Sequence, residues 1–142
     1  MTTSILSIVK TYLQSYSELK SGAPMWVDYL GDTPTQYSIA PLPGSKVIET
    51  YLDGSSLREF PFAFQSMEYT ADELERLETN GFFEEFADWL DTQTNLEALP
   101  TLNNNQEAVS IEALGWAYLF EQGKSDTGIY QIQCKLTYGQ GV

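Results

Sequence analysis

At 142 residues the chain is long enough for a single domain, residues 1–142, that buries roughly two-thirds of its unfolded surface. Hydrophobic residues make up 42% and aromatic residues 13%, which predicts a packed core and excludes a disordered chain. Seven basic residues against 20 acidic ones, with no histidine, give a net charge of −13, a field that repels nucleic acid because phosphate binding needs lysine and arginine.

The single cysteine rules out an internal disulfide framework. The opening MTTSILSIVK has no basic n-region and no long apolar run, so neither a signal peptide nor a membrane span is expected there. A soluble protein of a reducing compartment is the natural expectation. The cations are scattered and form no basic stripe. The acidity has a plain reading, solubility, and a functional one, a surface that must not adhere to DNA or anionic neighbours.

Residues 3–20 place Ile5, Ile8, Val9, Tyr12, Leu13, Tyr16 and Leu19 at three-to-four spacing, which predicts an amphipathic helix capped by Thr3 or Ser4 and ended by Gly22 and Pro24. Its polar face carries two lysines and a glutamate, too little positive charge for a membrane-surface helix. Residues 25–30 and 36–42 predict two short strands around the turn Gly31-Asp32-Thr33-Pro34, with Pro41 and Pro43 stopping the second. The centre of the chain, residues 47–69, predicts two strands joined by the polar loop Asp53-Gly54-Ser55-Ser56. Alternation puts Phe60, Phe62 and Phe64 on one face and Glu59, Pro61, Ala63 and Gln65 on the other. Pro61 lacks a donor and so belongs at a sheet edge, a bulge or a local break in pairing.

Thr70-Ala71-Asp72-Glu73 has the pattern of a capping box, and Leu74 and Leu77 are expected to face inward. Asn80-Gly81 predicts a left-handed cap and a broken helix, restarting with Phe82, Phe86, Trp89 and Leu90 on one side and Glu84, Glu85, Asp88 and Asp91 on the other. A loop over 97–106 leads to two final strands, 110–120 and 129–138, around the turn Gly123-Lys124-Ser125-Asp126. In the last strand Tyr130, Ile132, Cys134, Leu136 and Tyr138 point inward, and Gln131, Gln133, Lys135 and Thr137 outward; Gly139 onward frays. The sum is an α+β fold, a mixed and largely antiparallel sheet with an N-terminal helix and a broken central helix.

The residues point to no catalysis. Serine and cysteine nucleophiles most often need a histidine base, and histidine is also the commonest nitrogen ligand of zinc. Cys134 reads as a buried small hydrophobe rather than a reactive thiol. Neither phosphate-cradling glycine pattern occurs. Glu84, Asp88 and Asp91, one helical turn apart, could offer oxygen ligands to calcium or magnesium but lack EF-hand spacing. Glu85 and Glu112 are the carboxylates one would pair for glycosidase-like acid–base work. No cofactor and no metal are expected.

The succession YSIAPLPG, YLDGSSLREFPFAFQS, LETNGFFEEFADWLD and YQIQCKLTY resembles, over nearly the whole chain, a group of small proteins from the head–tail gene cluster of tailed phages and prophages, the minor capsid or tail-terminator proteins. The resemblance rests on order and phrasing, not on a catalytic motif. It implies helices on one face of a mixed sheet. It also implies a virion structural protein, a six-fold ring of identical subunits capping the tail tube and joining it to the head connector. Its partners would be itself, the tail-tube protein and connector proteins, with no specific nucleic-acid binding and no membrane. It would reside in the host cytoplasm during assembly and then at the virion neck. Asp53, Gly54, Ser55, Ser56 and Arg58, with the strand from Phe60 to Tyr69, are the expected oligomer or tail contact. The alternatives are another neck component, a head-closure or adapter subunit, and an acidic monomeric inhibitor that mimics nucleic acid.

Overall fold

The computed structural model describes residues 3–31, 33–44, 46–123 and 126–142. Among these, seven strands form one mixed sheet and two helices pack on one of its faces, an α+β fold. The elements run α1 (Ile5–Leu13), β1 (Met25–Val27), β2 (Gln36–Pro41), β3 (Val47–Thr50), β4 (Ser56–Tyr69), α2 (Glu73–Asn95), β5 (Gln106–Ala113), β6 (Tyr118–Gln122) and β7 (Thr127–Gln140). The path across the sheet is β1-β2-β4-β7-β5, with β3 on β4 and β6 on β7.

The alternating patterns of β4 and β7 dictate the middle of the sheet. They pair antiparallel along their whole lengths, from Ser56 opposite Gln140 to Tyr69 opposite Thr127. Phe62 and Phe64 are fully buried with Ile132, Cys134 and Leu136 on the helix-covered face, while Phe60 is partly buried. Phe64 stands 4.6 Å, centroid to centroid, from Phe86 of α2 and 5.7 Å from Tyr37 of β2, so one ring joins three elements. β7 does not fray at Gly139: it continues to Gln140, and Gly141 N–H donates to the Asn105 carbonyl.

Pro61 sits at a break in pairing. Its carbonyl accepts from Leu42 N–H at 2.9 Å, so its donorless nitrogen faces the same side. That side is the seam where β2, opposite residues 62–67, hands over to β3, opposite 56–58.

Several expectations are corrected. Ser4 caps α1, accepting from Ser7 N–H at 3.1 Å, but the regular helix ends at Leu13 rather than near Gly22. Ser15 Oγ donates to the Tyr12 carbonyl and competes with the helical ladder; tighter turns then carry the apolar stripe on to buried Tyr16. β1 and β2 are parallel, so the segment between them is a crossover rather than a hairpin turn, and Asp32 lies outside the described residues. The Gln36 amide holds that crossover, accepting from Trp26 Nε1–H at 2.8 Å and donating to Thr33 Oγ1 at 3.0 Å. It lies directly over Gly31, where a Cβ would come within 2.3 Å of its oxygen.

The cap of α2 is Asp72, not Thr70: its carboxylate accepts from Leu74 N–H at 2.9 Å, while Thr70 Oγ1 accepts from Gln122 Nε2. The helix is also unbroken. Gly81 has no positive φ, and Asn80 Nδ2 donates back to the Arg76 carbonyl at 2.8 Å instead of forming a cap. A continuous helix is what brings Phe83, Phe86 and Leu90 onto the sheet together, and that packing overrides the local Asn-Gly preference. It also sets the phase. Leu77 and Leu74 lie about 120° and 180° around the helix from Phe83, at about 100° per residue, and both are exposed rather than inward. The expected strand 110–120 is two strands. Ala113 faces Cys134 but Tyr118 faces Gln131, so residues 114–117 span only two β7 positions and bulge outward at Gly115-Trp116. Of the turn that follows, Lys124 and Ser125 lie outside the described residues.

Phe62→Ala should destabilise by about 3–5 kcal/mol in denaturant melts, because a fully buried ring leaves a cavity that helices and sheet cannot both close; a loss below about 1 kcal/mol would overturn the assigned face. Gly81→Ala should stabilise by up to about 1 kcal/mol, since a Cβ there meets nothing within 4 Å and alanine favours the helix; a lower melting temperature would contradict the unbroken helix.

Candidate functional site

The expected contact residues lie at the tip of the β3–β4 hairpin, and their polar groups are largely spent within the turn itself. Tyr51 N–H donates to the Ser55 carbonyl at 2.8 Å, and Gly54, at φ +93°, supplies the left-handed step. The Asp53 carboxylate accepts from Ser55 Oγ at 2.6 Å and from Ser55 N–H at 2.9 Å, and these bonds hold its pKa below the ordinary carboxylate value. Ser56 is buried and its Oγ accepts from Arg58 Nε at 2.9 Å. Thus Asp53 and Ser55 form one pair, Ser56 and Arg58 another, and Gly54 lies beside Val142 at the C-terminal end. What the hairpin shows to solvent is apolar: Leu52 at full exposure, with Val47, Ile48 and Tyr51 about half exposed.

The strand expected to reach a neighbour, residues 60–69, is paired with β2 over residues 62–67 on one side and with β7 along its whole length on the other, so most of its edge is taken. The free edges belong to other elements. β6 pairs only with β7, every one of its residues is exposed, and Trp116 just before it is 79% exposed. Beside it opens a cleft of about 330 Å³ with Phe83, Ile132 and Ala87 on its floor and Glu84, Asp88 and Asp91 on the wall.

The face of the sheet away from the helices is polar and internally bonded. Gln65 Nε2 donates to Gln131 Oε1 at 2.7 Å, and Gln131 Nε2 donates to the Tyr118 hydroxyl at 2.8 Å. Lys135 Nζ lies 3.6 Å from Glu59 and 3.7 Å from Glu112. Glu112 thereby sits on the face opposite α2, which carries Glu85, so the two carboxylates cannot flank one bond. Cys134 is fully buried and burial pushes its thiol pKa up, away from thiolate chemistry. Among the described residues no three Cys, Asp or Glu side chains converge on a possible metal position, and no helix is long and apolar enough to cross a membrane.

A second cleft of about 310 Å³ lies between β4, α2 and the turns after α1, with Glu18, Lys20, Glu68, Glu75 and Glu78 around Tyr37 and Phe82. Glu68 is the group it perturbs. Burial raises its pKa above the ordinary 4.5, against the hydrogen bonds donated by the Ser66 and Thr35 hydroxyls. A scan against protein-family models finds no match, and no curated protein is similar enough to count as a relative.

Sequence reasoning favoured the polar loop because Asp, Gly and Ser read as a surface turn, and it missed the apolar edges. The available signal was Val47-Ile48 followed by Tyr51-Leu52, apolar on both faces of a strand that no second layer covers.

Glu68→Gln gives the site a pH test. The raised pKa means the folded protein binds a proton more readily, so this group's contribution to stability is full below the unfolded value of 4.5 and is lost as pH rises through the folded value. The amide keeps an oxygen acceptor for one hydroxyl and turns an N–H toward the other, whose oxygen can accept, without the charge. Its melting temperature should exceed the wild type's at pH 7, with the gap closing near and below pH 4.5. A gap that does not vary with pH would show that Glu68 is not strained by burial.

Proposed function

We propose that the chain is a structural subunit of a tailed-phage or prophage virion, a tail terminator that assembles with itself into a ring on the end of the tail tube and joins it to the head connector. The observation that carries this reading is the pair of unpaired, apolar edge strands β3 and β6 on a fold whose long strands are otherwise fully paired. Exposed edges of this kind are templates for another chain. The resemblance of the four sequence blocks supplies the class, and a ring needs edges and loops but no acid, base or metal. An acidic lumen would let DNA pass without holding it. The protein would act in the host cytoplasm during assembly and at the neck of the finished virion, as terminator or as a neighbouring closure subunit.

One observation favours a second reading. A net charge of −13 suits a monomeric inhibitor that mimics nucleic acid. Light scattering separates the two. Each added subunit meets repulsion that salt screens, with a range of about 30 Å at 0.01 M and about 8–10 Å at physiological ionic strength. Monomers or weak oligomers should therefore prevail in dilute low-salt solution, and closed rings at high concentration, at higher salt or on tail-tube ends. A particle that stays monomeric throughout and ignores tail-tube protein would favour the mimic.

A further inference from the structure

Proteins that keep their sheet edges in water normally blunt them with charge, proline or cover. Here β3 and β6 leave one side of the backbone unpaired and display apolar side chains: Val47 and Ile48 on one, Tyr118, Leu119 and Phe120 on the other. Their positions are related. β3 lies along Ser56–Arg58 on the β4 side, and β6 along Gly128–Gln131 on the β7 side. Because Ser56 faces Gln140 and Tyr69 faces Thr127 across the central ladder, the two edges occupy diagonally opposite corners of the sheet.

The corners also differ in charge. At the β3 corner stand Lys46 and Arg58, two of the chain's seven cations, neither in an ion pair among the described residues. Two carboxylates, Asp53 and Glu49, stand against them, so that corner is close to neutral. At the β6 corner the cleft wall presents Glu84, Asp88 and Asp91 over an apolar floor.

We propose that the β3 edge of one copy adds to the β6 edge of the next, head to tail, with Lys46 reaching the acidic wall of the neighbour's cleft. This rests on the reading that the chain assembles with itself, and it names the contact. The occupant is a second copy because the two edges, 4 and 5 residues long, match in length and differ in charge, whereas β6 against β6 would bring like charges together. A contact between different patches leaves a free edge at each end and continues until a ring closes, whereas a self-complementary one stops at a dimer.

Two edge-blocked variants test it, Ile48→Asp on β3 and Phe120→Asp on β6. Both residues are about half exposed, so circular dichroism and melts should report intact folds. Under conditions where the wild type assembles, each variant alone should stay monomeric by light scattering. Mixed in equal amounts they should form a 1:1 dimer, about twofold the monomer mass and no larger, because one intact contact remains between them. In the same assay Lys46→Glu should weaken assembly and Asp88→Lys in the mixed partner should restore it. Variants that assemble like the wild type, or a mixture that stays monomeric, would overturn this contact while leaving self-assembly intact. A wild type that never assembles would remove the assembly reading as well.

Discussion

The antiparallel ladder between β4 and β7 is the constraint on which everything else hangs. Two strands of 14 residues pair without a register shift, and each alternates apolar and polar residues along most of its length. With a side-chain period of two, a slip of one residue in either strand would turn its core residues outward and drive Glu59 or Lys135 against α2. Burying an unpaired charge there costs several times the gain from any one apolar contact. The ladder therefore has one workable register. The aromatic cluster above it, Phe64 against Tyr37, Phe83 and Phe86, follows from where that register puts Phe64.

The length of the ladder also determines where the molecule is open. No other strand is as long, so the outer side of β4 is shared by β2 and β3, and the outer side of β7 by β5 and β6. Each handover needs a break. On the β4 side it falls at Pro61, whose missing donor costs nothing where no strand partner is in place. On the β7 side it is the bulge at residues 114–117, which lifts Trp116 into solvent and opens the acidic cleft beneath. The exposed corners are thus consequences of the same ladder that builds the core.

What the sequence made legible was what depends on period two within one segment: the hairpin, the Phe62/Phe64 face and the inward set of β7. What it hid depended on distant partners. Asn80-Gly81 carries a strong local signal for a break, yet Phe83 and Leu90 must reach the same core, and tertiary packing keeps the helix whole. Leu74 and Leu77 looked inward only because no phase had been set by the buried residues that follow them. The parallel β1–β2 pairing spans a crossover, and the Gln36 bonds to Trp26 and Thr33 that hold it have no pattern in the chain. At the candidate site the loop 53–56 is legible as a turn but the hydrogen bonding within it is not, and the one trace of β3's exposure, the doublets Val47-Ile48 and Tyr51-Leu52, also fits a buried strand.

The faces and the corners of this sheet answer different demands. The uncovered face has its polar side chains matched to one another, Gln65 to Gln131 to Tyr118 and Lys135 to two glutamates. A partner docking there would have to break those bonds and desolvate the ions, returning little net energy. The α2 outer surface is acidic and repels a like copy at long range. The β3 and β6 edges have the opposite character, with unpaired backbone groups and apolar side chains that gain on contact. In the proposed assembly, a chain so arranged would be kept apart by its broad surfaces and joined at these two narrow ones. On that proposal charge would decide when subunits meet and the edges how, with short-range pairing winning only where salt, concentration or a template has first reduced the repulsion.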